Sequence, residues 1–497
     1  MPVVSGLKPE PLWQYFEQLT QIPRPSKHEG RVLQWLKDFA QARGLKWQQD
    51  AVGNLVIKRP GSGGGEAAPV VVIQGHVDMV TEKNADTVFD FYTDGLRLTR
   101  DDTWLKAVGT TLGADNGIGV CAALALLSMQ PSAKLPPLEC LFTVDEETGL
   151  TGAFELDASM LSGRTLLNLD TEDWGEIFIG CAGGGDSEII LPIDEEPAPV
   201  DLVAQEVAVT GLMGGHSGLN INEDRGNAVI IAALVADAVL QAVPLARLAS
   251  IRGGDKRNAI PRECKAILLV PEASAEKVFA EVVANQVNAI QAEYGTLEKD
   301  LSIASLPVKA PTNVLTPESA HSLLTLLLTL PHGVHKYSHA VPGLVETSTN
   351  LAAVGPASSG DHHRGSALKI TCSTRSSLMP ALDTQRKRIA KLSSLCGAEV
   401  AQDKAYPGWA PNPKSDVLQI TKDVFHELLG VAPKVGAIHA GLECGILGDK
   451  IPGIDMVSYG PTIRGAHSPD EKVEIATVEK FWDATLLILQ RLADKRA

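Results

Sequence analysis

The tightest constraint on the fold is a set of four short apolar runs, "NLVIK" (54–58), "VVVIQ" (70–74), "LECLFTV" (138–144) and "TLLNLD" (165–170). Each has the length of a strand. Their apolar residues are largely continuous rather than alternating, the mark of strands covered on both faces. A buried helical segment, "GIGVCAALALLSM" (117–129), falls between the second run and the third. Ahead of them, "PSKHEGRVLQWLKDFAQARG" (25–44) carries Ser26 and Glu29 at capping-box spacing, apolar residues at helical period and Gly44 as a stop. The alternation predicts an α/β fold with a mixed or parallel central sheet flanked by helices. "GSGGGE" (61–66) reads as a flexible surface hairpin or loop.

A chain of 497 residues exceeds one ordinary hydrophobic core, so two domains are expected. From about residue 187 the texture changes. "IRGGDKRNAIPRECKAILLVPEASAEKVFAEV" (251–282) runs strand, turn at Asn258, strand, helix, and residues 344–392 repeat that order around Asn350. The repeat suggests an inserted α+β domain, 187–400, made of two similar halves. After the Pro-rich "AYPGWAPNP" (405–413), alternation resumes and ends in the amphipathic "TVEKFWDATLLILQRLADK". Residues 1–186 and 401–497 are therefore expected to form one discontinuous domain.

Composition removes several function classes. A net charge of −16 and a pI near 5.3 disfavour nucleic acid and anionic membranes as partners. The apolar stretches 117–129 and 227–243, the latter broken by Asp237, are too short or too interrupted to cross a bilayer. No basic segment precedes an apolar core near the start, so no secretion signal is expected. Seven scattered cysteines without a Cys-x-x-Cys pair suggest neither a disulfide framework nor a thiolate zinc site, and fit a reducing cytoplasm.

Polar groups collect where strands end, which is where α/β sheets build their sites. His76 and Asp78 follow the 70–74 run, two residues apart and so facing the same way. Asp115 stands in "LGADNGIG", Glu146 and Glu147 in "DEETG", Asp170 closes "LLNLD", and His467 lies far along the chain in "IRGAHSPDEKV". Taken singly, each has an ordinary explanation: a structural histidine, an acidic helix cap, a solvated loop. "GADNGIG" lacks the G-x-G-x-x-G order of a nucleotide loop. Together they amount to two imidazoles and several carboxylates without thiolate, the ligand chemistry of hydrolytic zinc, cobalt or manganese sites. Two such ions need a bridging carboxylate with a clamp on each side, and the inventory suffices.

"GHVDMV", "GADNGIG", "DEETG", "NLD" and "GAHSPDE" resemble the dinuclear-zinc metallopeptidases that include carboxypeptidase G, aminoacylases, carnosinases and bacterial dipeptidases. "IGCAGGGDS", "GLMGGHSGLNI", "RGGDKRNAIPRE", "VETSTNLA" and "IHAGLECGIL" are similar to the bacterial aminoacyl-histidine dipeptidase branch. The resemblance implies that 1–186 with 401–497 is the catalytic domain and 187–400 a lid and dimerisation domain. It implies two divalent ions, most simply Zn2+, with His76 and Asp170 on one, Glu147 and His467 on the other, and Asp115 bridging. Glu146 would be the general base and Asp78 the group that orients His76. A cis peptide between Asp115 and Asn116 is implied as well. In "GGHSG", His216 would stabilise the oxyanion; Asn258 and Arg375 would hold the substrate's terminal carboxylate, and Glu443 its free amino terminus. For His216 the ordinary alternative is a loop histidine, and for Arg375 a surface ion pair.

The resemblance thus implies a cytoplasmic, homodimeric dipeptidase acting on small peptides, including Xaa-His substrates such as carnosine. Within it, Asp rather than Glu at 170 goes with dipeptidase and aminopeptidase activity. An N-acyl amino acid deacylase using the same ions is the alternative enzyme. A metal-free binding protein on the same fold is the alternative of another class, and the presence of all five ligands and the base argues against it.

Overall fold

The computed structural model describes residues 2–358 and 366–495. Contacts divide the chain into two compact units: Met1–Cys181, Trp409–Ala437 and Leu442–Ala497 form the first, Ala182–Gly408 and Ile438–Gly441 the second. Among the described residues no helix is long and apolar enough to cross a membrane.

The first unit is built on an eight-stranded mixed sheet. In spatial order its strands are Lys46–Gln49, Leu55–Arg59, Leu138–Thr143, Val71–His76, Thr165–Asn168, Asp455–Ser458, Glu176–Cys181 and Lys434–Ile438. The four central strands run parallel and the flanking pairings determined are antiparallel. All six residues of Val71–His76 are buried. Val72 packs in a cluster with Leu141, Leu166, Leu447 and Met456 on one face. Strand alternation turns Val71 and Ile73 to the other face, where the buried helix Ala114–Leu127 crosses over the sheet. The parallel register pairs His76 with Thr143 and Gln74 with Asn168. The strands therefore end side by side, and the residues that follow them, from Asp145 on one and Asp170 on the other, emerge beside His76.

Two expectations about the first unit need correction. Ser26 and Glu29 do not form a capping box: the helix begins at Gly30 with Glu29 at its N-cap and no side-chain cap bond. Both side chains are spent elsewhere. Ser26 Oγ donates to Asp78 Oδ2 at 2.7 Å, and Glu29 Oε1 accepts from the Lys27 and Asp145 amides at 2.8 and 2.9 Å. A hydroxyl close to a buried carboxylate gains more from that charge-assisted bond than from an exposed helix end. "GSGGGE" is likewise no free loop. Ser62 pairs through its backbone with Leu135 in both directions, at 2.9 and 3.0 Å. At Gly65 the chain lies so close that a Cβ would sit 2.3 Å from the Leu135 carbonyl oxygen. Gly61, Gly63 and Gly65 serve close approach rather than mobility.

The second unit carries a nine-stranded sheet whose pairings are antiparallel. Strands Arg247–Gly253 and Cys264–Pro271 pair and are followed by helix Ala280–Tyr294; Val345–Pro356 and Ala367–Ser376 pair and are followed by helix Met379–Leu395. The order predicted for the two halves is present, but Asn258 and Asn350 are not equivalent turns. Asn258 sits on an exposed loop, whereas Asn350 is fully buried within a strand. Its Nδ2 donates to the Ala259 carbonyl at 2.8 Å, so Asn350 holds the loop that Asn258 occupies. The link of the second pair at 359–365 lies outside the described residues. Helix Ala228–Ala242 is buried against this sheet, and here Asn227 is a true N-cap, accepting from the Val229 and Ile230 amides.

Candidate metal centre

His76 is 1% exposed at the end of its strand. Its Nε2 lies 3.1 Å from Asp115 Oδ1 and 3.4 Å from Asp170 Oδ1, and its Nδ1 lies 3.3 Å from Asp78 Oδ1. The other oxygen of Asp115 faces the distant histidine, with His467 Nε2 at 3.3 Å from Oδ2. His467 Nε2 also lies 3.1 Å from Glu147 Oε2. Three overlapping sets of donor atoms result, each gathered within 4.8 Å: His76, Glu146 and Glu147; His76, Asp115 and Asp170; Asp115, Glu147 and His467. Segments more than three hundred residues apart thus converge on one carboxylate.

Asp78 is buried and its two oxygens act as a fastening point. They accept from the Glu146 amide at 3.0 Å, the Glu147 amide at 3.1 Å and Ser26 Oγ. The turn that delivers the two glutamates is held further back by Asp145, in a left-handed conformation with φ 50°. Its carboxylate accepts from the Thr148 and Thr151 hydroxyls. The peptide between Asp115 and Asn116 is cis. The roles of Ser26, Glu29 and Asp145 at this site are not legible in the sequence: Ser26 and Glu29 have the spacing of a helix cap, and Asp145 carries no signal beyond its place beside the two glutamates.

The cluster's electrostatics are those of carboxylates crowded away from water. Burial pushes Glu146 and Asp170 well above the ordinary carboxylate range. For Asp78 burial acts the same way but His76 and its other hydrogen bonds prevail, drawing it down to about 2. Hydrogen bonds to Asp115 and Glu147 push His467 up to about 11. Burial opposes charge on His76, yet Asp170, Asp115 and Asp78 raise it well above its usual value. Such a site favours any compact positive charge. Asp170 Oδ1 is buried with no hydrogen-bond partner. Two imidazoles and several carboxylates, with no thiolate in any of the three sets, fit a pair of zinc-like divalent ions.

Glu443 belongs to the same unit and is fully buried. Its Oε2 accepts from Gln74 Nε2 at 2.5 Å and Thr143 Oγ1 at 2.8 Å, while Oε1 has no partner. Burial pushes this carboxyl up to about 7. Gln74 is itself fixed, its Oε1 accepting from Asn168 Nδ2 at 2.5 Å, and Asn168 in turn accepts from Ser458. This polar chain runs between strands of the central sheet.

The second unit gathers the other three candidates. Arg375 is buried, its Nε donating to Ser217 Oγ at 3.3 Å and its Nη1 to Tyr406 Oη at 3.0 Å. Among the described residues it has no carboxylate within ion-pair distance, so the surface ion pair is not what it makes. His216 Nδ1 accepts from the Gly218 and Leu219 amides at 3.2 and 3.1 Å, two bonds that favour the neutral-ring proton on Nε2 over the single long approach of Arg375 Nη2 to Nε2 at 3.5 Å. Burial and then Arg375 draw His216 down to about 4, keeping it neutral at pH 7. Ser217 is tied to Asn258 through its amide and the Asn258 carbonyl at 2.8 Å. His439, buried and bonded to Ser348 Oγ at 2.8 Å, joins this cluster and was missed; its sequence signal was its place in "IHAGLECGIL".

Replacing Ser26 with Ala is expected to weaken metal affinity about tenfold, as loss of a group supporting an oriented ligand does. The Gly30–Ala42 helix should be unaffected. Chelator competition alongside far-UV circular dichroism checks this. A loss of helix signal with unchanged metal affinity would restore the capping role.

The comparisons with known proteins agree with the geometry. The chain is 38% identical over 499 residues to the cytosol non-specific dipeptidase of Escherichia coli, covering 100% of both sequences. The solved structure of aminoacylhistidine dipeptidase from Vibrio alginolyticus superposes with a TM-score of 0.90 at 38% identity, covering 98% of each chain. Residues 72–491 match the family model described as peptidase family M20/M25/M40. With its strand-end cluster of histidines and carboxylates, this chain belongs to the M20/M25/M40 peptidase family and is a hydrolase of that kind.

Proposed function

We propose that the chain is a cytoplasmic dizinc dipeptidase acting on dipeptides with a free amino terminus, Xaa-His dipeptides such as carnosine among them. The relatives named dipeptidases support the substrate class. One observation carries the chemistry: the two oxygens of Asp115 point to different histidines, His76 at 3.1 Å and His467 at 3.3 Å. That is the arrangement a bridging carboxylate needs. In this reading His76 and Asp170 hold one ion, Glu147 and His467 the other, and Asp78 orients His76. Zinc, cobalt or manganese bound there would polarise the scissile carbonyl and make water a nucleophile near neutral pH.

The protein's own residues do the rest. Glu146 takes the proton of the attacking water and returns it to the leaving amine. Neutral His216 offers Nε2–H to the developing oxyanion, and such donors are worth ~10² in rate or more. Arg375, with Asn258, takes the terminal carboxylate, a task suited to a planar guanidinium that has no carboxylate within ion-pair distance among the described residues. Glu443 meets the amino terminus through its free Oε1. The second unit also serves as the dimerisation domain of a homodimer.

With metal restored, an unblocked Xaa-His dipeptide is expected to be cleaved about 10²-fold or more faster in kcat/KM than its N-acetyl form, because acetylation leaves Glu443 without its partner. Comparable cleavage of both would favour a deacylase. No cleavage of either by protein shown to hold two ions would end the proposal.

A further inference from the structure

Two buried side chains that are not in the ligand set hold the segment carrying Asp115. Glu471 is 2% exposed and its carboxylate collects four successive amides. Oε2 accepts from Leu112 and Gly113 at 2.7 and 2.8 Å, and Oε1 from Ala114 and Asp115 at 2.8 and 3.3 Å. These donors precede the regular part of helix Ala114–Leu127, which starts only after the non-helical Asp115 and Asn116, so no helical turn satisfies them and buried amides left this way favour an anion. Asp115 cannot supply that anion, since its oxygens face His76 and His467. A residue more than 350 positions away supplies it instead.

Arg24 holds the same segment by its carbonyls. It is 1% exposed; Nη1 donates to the Val77 and Asp78 carbonyls at 2.9 and 2.7 Å, and Nη2 to the Gly113 carbonyl at 2.5 Å. One rigid guanidinium therefore ties the strand end that bears His76 and Asp78 to the segment that bears Asp115. Gly113 is needed for this: its φ is 64°, and a Cβ there would lie 2.4 Å from Arg24 Nη2.

We infer that Arg24 and Glu471 are positioning residues, which fix the Leu112–Asp115 segment against the Val77–Asp78 strand end by protein hydrogen bonds and so aim Asp115 before metal binds. This rests on the bridging role proposed for Asp115. An entropic advantage follows: a ligand ordered in advance leaves less ordering to be done when the ion arrives.

The first test uses the wild-type protein stripped of metal. Hydrogen–deuterium exchange of the peptide covering 112–115 is expected to be slow, comparable to the buried Val71–Ile73 strand. Fast exchange there, slowed only on adding zinc, would overturn the inference, because the ion would then be ordering the segment. The second test is Glu471→Gln, which keeps the size but turns one acceptor into a donor facing two amides. Zinc affinity, read by chelator competition, should fall about tenfold or more for both ions. Exchange at 112–115 should rise while the Val71–Ile73 amides stay protected. Arg24→Lys, which cannot span the three carbonyls, should act in the same direction. Wild-type zinc affinity in Glu471→Gln would overturn the inference, and if that variant does not fold the wild-type exchange result decides. Wild-type protein that binds no zinc would instead count against the proposed function, and its exchange would still report on the clamp.

Discussion

Glu146→Gln is expected to lower kcat by ~10²–10⁴-fold, the range typical of a positioned general base, with both metal ions retained. The reasoning starts from the backbone. Asp78 pins the Glu146 and Glu147 amides with its two oxygens, so the two neighbours are fixed in place beside His76. Glu147 Oε2 reaches His467 Nε2 at 3.1 Å, the position of a shared ligand. Glu146 groups with His76 and Glu147 but not with Asp115 and His467, so it borders the cluster without joining the set around the bridge. Glutamine keeps the shape and cannot take a proton. Steady-state kinetics with metal content measured on the same sample separates the roles: loss of kcat with two ions present is the expected result. Loss of an ion would mean that the two glutamates exchange duties.

Asp115→Asn is expected to abolish measurable hydrolysis and to remove the stabilisation that zinc gives the protein. A ligand that binds only the folded state adds about 2.7 kcal/mol at a free concentration 100 times its Kd, for each site. Wild-type protein should therefore melt at a clearly higher temperature with zinc than with a chelator. The variant should melt at the same temperature in both, because a carboxamide offers one neutral oxygen where two anionic ones faced His76 and His467. Thermal melts of both proteins with and without zinc check this. A variant that keeps two ions and its zinc-dependent shift would remove Asp115 from the bridge.

Burial explains which parts of this chain could be read from its residues. The central strands were legible because a strand covered on both faces must be apolar throughout, and Val71–His76 is buried at every position. His76 and Asp170 stood out because a polar group at the end of such a strand is costly unless used. In the second unit the repeated strand, strand, helix order was visible, but the pairing of Asn258 with Asn350 was misread, since one residue's letters do not reveal whether it turns a chain or holds a turn elsewhere.

Side chains acting at long range were not legible. Ser26 and Glu29 had the spacing of a local cap, and only the fold brought Asp78 and the Asp145 amide close enough to outbid the helix end. Arg24 and Glu471 carried no signal in the sequence, because hydrogen bonds to carbonyls and amides leave no trace in a pattern of side chains. By itself, then, the sequence determined the α/β class and the inventory of imidazoles and carboxylates, both of which depend on local periodicity and residue chemistry. The family resemblance pointed to Asp115 between the two histidines, but only the tertiary structure gave its distances to His76 and His467 and the partners that hold it there. Those partners are set by where chain segments cross, and a hydrogen bond depends on distance in space rather than along the chain.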